Sequence, residues 1–400
     1  MAQASKRIQT ITNGGSDGWE LYARAKDLSR AGVPVVNLTV GEHDIKTDPA
    51  ILDAMREGAR RGHTGYSDIP GIAELRAAVA ERAERMTGVR TTADNVIVTP
   101  GGQAALFAAH QLVGDPGDRA LFVEPYYATY PGTLRGVGLV PVAVPARPEA
   151  GFEPREEDLL RAAPGARSLL VNSPNNPTGV IYGERTLEGI ARVAEAHDLW
   201  VVSDEVYDSQ VWEGRHLSAR ALPGMGERTL VVGSVSKSHA MTGSRLGWII
   251  GPEEAIGLLW DLSTVTNYGI PGFIQDAGVH ALSLGPDYEA RIAEPFRRRR
   301  EITQGVLAGQ NVVRAAPQRG AMYAMLDVRA TGLSGEEFAW RLLDAERIAV
   351  MPGSSFGPVA HGHVRVAMTV EDAAYEDALR RIVAFAGRLA SERAVEAAAS

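Results

Sequence analysis

The chain has 400 residues, 45% of them hydrophobic and 22% charged, and a formal net charge of −8. Such values are typical of a soluble globular protein with one or two domains, and the acidic balance argues against a nucleic-acid surface, which needs a basic excess. The absence of cysteine excludes disulfides, thiolate metal sites and cysteine nucleophiles, and it fits a cytoplasmic location. With no long apolar segment and no secretory signal at the N-terminus, we expect no membrane partner and no metal.

The first clear element is residues 71–88, GIAELRAAVAERAERMTG, an amphipathic pattern that predicts a helix ending at a glycine. From about residue 95, short runs that are apolar throughout alternate with helical patterns. The runs are NVIVTPGG, RALFVEPYY, GLVPVAV, ARSLLVNSPNNPTG, LWVVSDEVY, RTLVVGSVSKS and RLGWIIG. Because such strands are covered on both faces, we predict an α/β fold with a mostly parallel sheet.

Residues 288–309 predict a long helix that joins two domains, and we expect its run of arginines, 297–300, to form a solvated, salt-bridged face. The strand-like AMYAMLDV, IAVMPGSSFG and HVRVAMT follow, and then a further helical pattern. This α+β order predicts a second, smaller domain. We therefore place a large domain at residues 46–285 and a small domain at residues 1–45 together with 286–400.

The stretch GSVSKSHAMTGSRLGW places Lys237 just after a buried strand, with Arg245 eight residues later. Most lysines are solvated surface groups, but a lysine that attacks a carbonyl needs partial desolvation or a neighbouring cation to lower its pKa. Arg245 could be that cation, or it could bind a phosphate through two hydrogen bonds. Ser234 and Ser236 add hydroxyl donors.

Three other strand ends carry polar residues. Gly101, Gly102 and Gln103 lie where a strand turns into a helix, which suits either an anion site or a plain β–α turn. Asp204 ends an apolar strand, where a buried carboxylate needs a structural salt bridge or a protonated ring nitrogen as its partner. The run SPNNPTG, residues 173–179, is turn-like and contains Asn176.

Together these stretches resemble the class I/II aminotransferases, members of the aspartate aminotransferase superfamily and of fold type I among pyridoxal phosphate (PLP) enzymes. The resemblance covers nearly the whole chain, and seven stretches occur in the family's order: GYSDIPGIAELRAAVAE, TPGGQAALF, EPYYATYPG, NSPNNPTG, SDEVY, SVSKSHAMTGSRLGW and HVRVAMT. It implies a large domain with a mostly parallel central sheet, a smaller α+β domain, PLP as cofactor and a homodimer with shared active sites.

The resemblance also implies roles for individual residues. Lys237 would form the Schiff base with PLP and carry the proton, and Asp204 would keep the pyridine nitrogen protonated. Tyr207 and Asn176 would bond the phenolic oxygen, while Tyr127 would stack on the ring.

The remaining roles concern the two anionic groups. The resemblance implies that the phosphate is bound by Gly101, Gly102, Gln103, Ser234, Ser236, Arg245 and the partner subunit's Tyr66. Arg365 would bind the substrate α-carboxylate, with help from Asn176 and the backbone near Gly41.

The substrate is less well defined. Gln103 stands where the aspartate-specific subgroup would have a lysine, which argues against aspartate. Several stretches, including HDLWVVSDEVY and YGIPGFIQDA, are most similar to bacterial arginine–pyruvate aminotransferases, which implies transfer of the amino group of L-arginine or another basic amino acid to pyruvate. A guanidinium side chain needs acidic partners. Candidates are Asp17, Glu20, Glu42 and Asp44, which could equally be surface or capping residues.

Alternative functions are an aspartate, alanine or aromatic aminotransferase of the same family, and a PLP-dependent C–S β-lyase of the same fold. A ligand-sensing regulator would carry an N-terminal DNA-binding domain, for which the early start of the resemblance leaves no room. An inactive interaction protein conflicts with the presence of Lys237, Asp204, Arg245 and Arg365.

Overall fold

The computed structural model describes residues 2–12 and 18–399. Its strands are β1 Val36–Asn37, β2 Val96–Thr99, β3 Arg119–Glu124, β4 Val140–Pro145, β5 Ala166–Asn172, β6 Trp200–Asp204, β7 Thr229–Ser234, β8 Gly247–Ile250, β9 Arg314–Ala315, β10 Tyr323–Asp327, β11 Ile348–Ala349, β12 Met351–Pro352 and β13 His363–Ala367. Its α-helices are α1 Lys6–Gln9, α2 Trp19–Arg30, α3 Pro49–Arg60, α4 Ala73–Thr87, α5 Gly102–Val113, α6 Tyr130–Val137, α7 Glu156–Ala162, α8 Glu184–Ala196, α9 Val235–Ser238, α10 Glu253–Thr266, α11 Gly272–Ser283, α12 Gly285–Leu307, α13 Gly335–Glu346 and α14 Asp372–Ala399.

The strands β2 to β8 form one sheet in the order β2-β8-β7-β6-β5-β3-β4. Neighbours are parallel except at β8, which runs antiparallel to both β2 and β7. Every residue of β2, β7 and β8 is buried, as expected for strands with helices on both faces. The predicted mostly parallel α/β sheet is confirmed. Its strands β5, β6 and β7 end side by side, at the sheet position where ligands of such folds bind.

A second sheet is antiparallel, with the order β12-β13-β10-β9. Its core contains Val364 and Val366 of β13 together with Phe338 of α13 and Leu379 of α14, all fully buried. β1 pairs in parallel with β11, which attaches the N-terminal segment to this part of the chain. The domain boundaries at residues 45/46 and 285/286 stay a prediction. No helix of the described residues is both long and apolar enough to cross a bilayer.

The long helix predicted for residues 288–309 is confirmed as α12, and it contributes to two cores. Tyr288 and Ile292 pack in the core beside β2 and β8, whereas Phe296, one turn further, packs in the core of the antiparallel sheet. A single rigid helix therefore connects the two sheets.

The expectation of a solvated arginine face on α12 is correct for Arg297, whose guanidinium pairs with Glu294 and Glu301 at the surface. It is wrong for Arg299, whose side chain is 3% exposed and pairs with Asp44 at 2.6 Å and with Asp372 at 2.9 Å. Four consecutive helical residues cover a full turn, so one of them must point inward.

Candidate active site

A cavity of about 330 Å³ lies where β5, β6 and β7 end, beneath β13 of the second sheet. Twelve of the residues that the sequence analysis assigned to the cofactor or to the α-carboxylate line it: Gly41, Gly102, Gln103, Tyr127, Asn176, Asp204, Tyr207, Ser234, Ser236, Lys237, Arg245 and Arg365. Gly101 lies directly behind Gly102. Tyr66 is 89% exposed and does not line the cavity of its own chain.

Lys237 lies in α9, a helix of four residues that follows β7. Ser234 caps this helix, since its hydroxyl accepts a hydrogen bond from the Ser236 amide at 3.1 Å. The Lys237 ammonium donates to the carbonyl oxygen of Gly41. Burial lowers the pKa of Lys237 to about 8; Glu42 opposes this shift, and the positive charge of Arg365 adds to it. The amine can therefore lose its proton near neutral pH.

One corner of the cavity is built for an anion. Gly101 has φ of +81°, and a side chain there would overlap the guanidinium of Arg245. The helix α5 begins at Gly102, so its free amides point into this corner. Arg245 donates to the carbonyl of Thr242 at 2.8 Å, and it forms no ion pair with a carboxylate of the described residues. Its positive charge is thus available to a ligand.

The opposite charge lies at the end of β6. The carboxylate of Asp204 is buried and accepts hydrogen bonds from the Tyr130 hydroxyl at 2.6 Å and the Val206 amide at 3.3 Å. No arginine, lysine or histidine within the described ranges forms an ion pair with it. Burial therefore raises the pKa of Asp204 to about 6, although the hydrogen bond from Tyr130 acts in the opposite direction. A cationic ligand atom is the partner that this carboxylate lacks.

Arg365 projects from β13 into the upper part of the cavity. Its guanidinium donates to the Asn176 side-chain oxygen at 2.8 Å and to the Thr39 carbonyl. It lies 4.5 Å from the Tyr323 ring centre and 4.7 Å from that of Phe356. Burial lowers its pKa, and its Nε has no hydrogen-bond partner in the described structure. A carboxylate would complete its set of partners.

Three residues of the site were missed by the sequence analysis. Tyr323 of β10 shares a 2.8 Å hydrogen bond with the Tyr207 hydroxyl, and Asn172 binds the Asp204 carbonyl at 2.9 Å. Tyr130 binds Asp204, as described above. Only Tyr130 carried a usable signal, because it lies one helical turn beyond Tyr127 in EPYYATYPG.

The acidic residues proposed for a basic side chain have different positions. Glu42 lines the cavity mouth, whereas Asp44 is held by the buried Arg299 and is not free to bind a substrate. The expectation for Asp44 is therefore wrong, because a buried guanidinium requires that carboxylate as its partner. Glu20 does not line the cavity, and Asp17 lies outside the described residues.

The family model described as aminotransferase class I and II matches residues 33–382. The chain belongs to this family. The aminotransferase is 39% identical over 383 residues to the arginine–pyruvate transaminase of Pseudomonas aeruginosa, covering 95% of this chain and 97% of that one. It is 37% identical to the aspartate/prephenate aminotransferase of Thermus thermophilus, covering 97% of this chain and 100% of that one. A solved double mutant of T. thermophilus aspartate aminotransferase superposes with a TM-score of 0.90 at 36% identity, covering 96% and 100% of the chains.

Enzymes of this family use PLP, so the aminotransferase is a PLP-dependent enzyme of fold type I. The charges of the cavity fit this cofactor. Two guanidinium groups, those of Arg245 and Arg365, lack carboxylate partners, and one buried carboxylate, that of Asp204, lacks a cation. A phosphate, a substrate carboxylate and a protonated ring nitrogen are complementary to these three groups.

Proposed function

We propose that this aminotransferase transfers the α-amino group of L-arginine, or of another basic L-amino acid, to pyruvate. The observation that carries the proposal is the carboxylate of Glu42 at the cavity mouth, which forms no ion pair within the described residues. Asp204 and Glu42 are the acidic residues that line the cavity, and Asp204 lies at its base, buried from solvent. Glu42 is exposed and accepts a hydrogen bond from the Thr242 hydroxyl at 3.3 Å, which leaves acceptor positions for a guanidinium.

The cations of the cavity support the same substrate class. Lys237, Arg245 and Arg365 line it, and each has an assigned role at the amine, the phosphate or the α-carboxylate. No further arginine or lysine of the described chain lines the cavity to bind a second carboxylate, as aspartate would require. Gln103 offers no substitute, since its amide is engaged by Thr133 at 2.8 Å and by Thr129 at 3.0 Å.

The residue roles are part of the proposal. When bound, PLP supplies an electron sink for the charge that remains when a proton leaves the substrate Cα. Lys237 Nζ accepts that proton, and its lowered pKa suits a base that works near neutral pH. Asp204 would hold a proton on the ring nitrogen, while Arg245 with Ser234, Ser236 and the amides at Gly101, Gly102 and Gln103 would bind the phosphate.

The other side chains orient the reacting groups. Arg365 fixes the α-carboxylate, and Asn176 in turn fixes Arg365 through its side-chain oxygen. Tyr207 is held by Tyr323 and would donate to the phenolic oxygen, and Tyr127 would cover the ring. These interactions place the Cα–H bond beside Lys237, which removes the entropic cost of bringing the groups together.

A homodimer and a cytoplasmic location complete the proposal. Tyr66 supports the homodimer, because its exposed ring packs edge-on against the half-exposed Tyr268 at 5.0 Å and does not line the cavity of its own chain. If Tyr66 binds a phosphate, it must be the phosphate of a second copy. Sedimentation analysis of the purified protein measures the association state directly.

The donor preference is tested by Glu42→Gln. We expect this change to raise the KM for arginine about tenfold or more, because a charge-assisted hydrogen bond contributes roughly 1.5–3 kcal/mol. The KM for alanine should stay within about twofold, since alanine has no side-chain charge to bind. Initial rates with a panel of arginine, lysine, aspartate, alanine and an aromatic amino acid provide the measurement.

Two results would contradict the substrate proposal: a preference of the wild type for aspartate, or equal changes for arginine and alanine in Glu42→Gln. The same panel tests the β-lyase alternative. Release of ammonia and pyruvate from cystathionine, without formation of the amino form of the cofactor, would favour a lyase.

The carboxylate site is tested by Arg365→Lys. Lysine keeps the charge but loses the paired donors of the guanidinium, so we expect the KM for every amino donor to rise about 10- to 100-fold. The affinity for PLP, measured by fluorescence quenching of the cofactor-free protein, should change little. A selective loss with one donor only would show that Arg365 binds a side chain instead.

A further inference from the structure

The main chain of Lys237 is held from outside its own helix. α9 contains only four residues, and a helix this short leaves its last carbonyl groups without intrahelical partners. The carbonyl oxygen of Lys237 instead accepts two side-chain hydrogen bonds, from His43 Nε2 at 3.0 Å and from Gln210 Nε2 at 3.3 Å. These two side chains therefore determine where the lysine backbone lies.

His43 is a fixed donor in this arrangement. A carbonyl oxygen only accepts, so His43 Nε2 carries the proton, and Nδ1 is buried without a hydrogen-bond partner in the described chain. Burial, and then the charge of Lys237, lower the pKa of His43 to about 3. The ring packs edge-on against Phe296 at 5.2 Å. His43 is thus neutral near neutral pH, and its ring contacts Phe296 on one side and the Lys237 carbonyl on the other.

The same part of the chain also contacts the substrate end of the cavity. We call residues 39–44 the substrate segment. Its Thr39 carbonyl accepts from Arg365, and its Gly41 carbonyl accepts from the Lys237 ammonium. A side chain at Gly41 would overlap the Tyr323 hydroxyl, so the segment lies directly against the tyrosine pair. The segment therefore contacts Lys237 at both its amine and its main chain.

We propose that His43 is a positioning residue for Lys237. His43 belongs to the substrate segment and donates to the Lys237 carbonyl, and in this way it fixes the position of the Lys237 amine relative to the α-carboxylate site at Arg365. This inference rests on the role proposed above for Lys237, and it does not depend on which amino acid is the donor.

The test compares two changes at His43. Leucine removes the donor at similar size, whereas glutamine retains an N–H that can reach the same carbonyl. We expect His43→Leu to lower kcat about 10- to 100-fold with a change in KM below about threefold, because a small displacement of the base affects the chemical step more than binding. The kcat and KM of His43→Gln should each stay within about threefold of the wild-type values.

A second readout does not use turnover. When PLP is added to the cofactor-free protein, the visible absorbance of the lysine-bound cofactor appears at a rate that depends on the position of Lys237 Nζ. We expect His43→Leu to slow this rate about tenfold and His43→Gln to leave it nearly unchanged.

Thr47→Val serves as the matched control, because the Thr47 hydroxyl joins the two neighbouring stretches of chain by donating to the Ala240 carbonyl at 2.6 Å without touching Lys237. It should lower thermal stability as His43→Leu does, while kcat stays within about twofold. If His43→Leu does not fold, His43→Met, which also lacks a nitrogen donor, replaces it and is judged by the same criteria.

The inference is overturned if His43→Leu, or its substitute, keeps wild-type kcat and cofactor binding rate. It is also overturned if His43→Gln is as impaired as His43→Leu, or if Thr47→Val is equally impaired. These results leave the proposed function intact, because the donor preference and the role of Lys237 are tested separately, by the donor panel with Glu42→Gln and by Lys237→Ala.

Discussion

Lys237→Ala is expected to lower kcat for transamination by about 10²–10⁴-fold or more, the range that a positioned acid–base group supplies. The reason is that Lys237 provides the one amine lining the cavity of the described chain, so no other amine there can take over as the base that accepts the Cα proton. Single-turnover kinetics with a saturating amino donor, followed through the cofactor absorbance, separate this chemical step from product release.

The control for this experiment is Lys46→Ala. The chain contains four lysines, at positions 6, 26, 46 and 237, and Lys46 is exposed three residues from His43. Reduction of the PLP-loaded protein with borohydride, followed by peptide mapping, should label Lys237 and none of the other three. Wild-type turnover by Lys237→Ala, or label on another lysine, would refute the mechanism.

Asp204→Asn is expected to have opposite effects on function and on stability. Loss of a preorganised charge at the ring nitrogen should lower kcat about 10²–10³-fold. In the cofactor-free protein the same change removes a buried carboxylate that has no cationic partner. We therefore expect the cofactor-free variant to be more stable than the wild type, as is common for residues that serve function rather than folding.

The sign of the stability effect follows from the pKa. Burial raises the pKa of Asp204 from 3.8 to about 6, so the folded state binds more protons than the unfolded state between these values. The stabilising contribution of protonated Asp204 to the free energy of unfolding is fully present below about pH 4 and is lost as the pH rises through 6. Above pH 7 the ionised side chain costs about 3 kcal/mol, which Asp204→Asn should recover.

Asp208→Asn is the matched control because Asp208 is a largely buried carboxylate, 15% exposed, that has a cationic partner. Arg82 donates to it at 2.6 and 2.9 Å, and although burial alone would raise the pKa of Asp208, the charge of Arg82 holds it below its usual value. Loss of the Asp208 charge in Asp208→Asn should therefore destabilise the protein at neutral pH, which is the opposite of the effect expected for Asp204→Asn. Urea unfolding of both cofactor-free variants at pH 4.5 and pH 7.5 measures the difference. If both variants change the free energy of unfolding at pH 7.5 in the same direction, the assignment of Asp204 as an unpaired functional carboxylate is contradicted.

Much of the site could be predicted because the chemistry is concentrated at strand ends. Apolar runs in the sequence indicated the strands β5, β6 and β7. Polar residues that directly follow such runs lie together, because the carboxyl ends of parallel strands meet at one edge of the sheet. The sequence therefore predicts that Asp204, Asn176 and Lys237 lie near one another. The turn at Gly101 follows a strand in the same way, whereas Arg245 was indicated by its position eight residues after Lys237.

Other residues could not be assigned from the sequence, since their roles arise from contacts over long chain separations. Tyr323 reaches Tyr207 across 116 positions, and His43 reaches Lys237 across 194. Glu42 and Asp44 look alike in the sequence, but only the fold places the buried Arg299 beside Asp44 and leaves Glu42 at the cavity mouth.

By itself, the sequence determined the α/β class and the order of the elements, and its resemblance to the family implied the set of groups that can perform PLP chemistry. The hydrophobic pattern and the residue types at strand ends depend only on residues that are neighbours in the chain, so they can be recognised without the tertiary structure. The tertiary structure alone decided which charges are already paired. Pairing decides whether a buried arginine or carboxylate stabilises the fold or awaits a ligand, and it depends on which distant residue lies within hydrogen-bond distance.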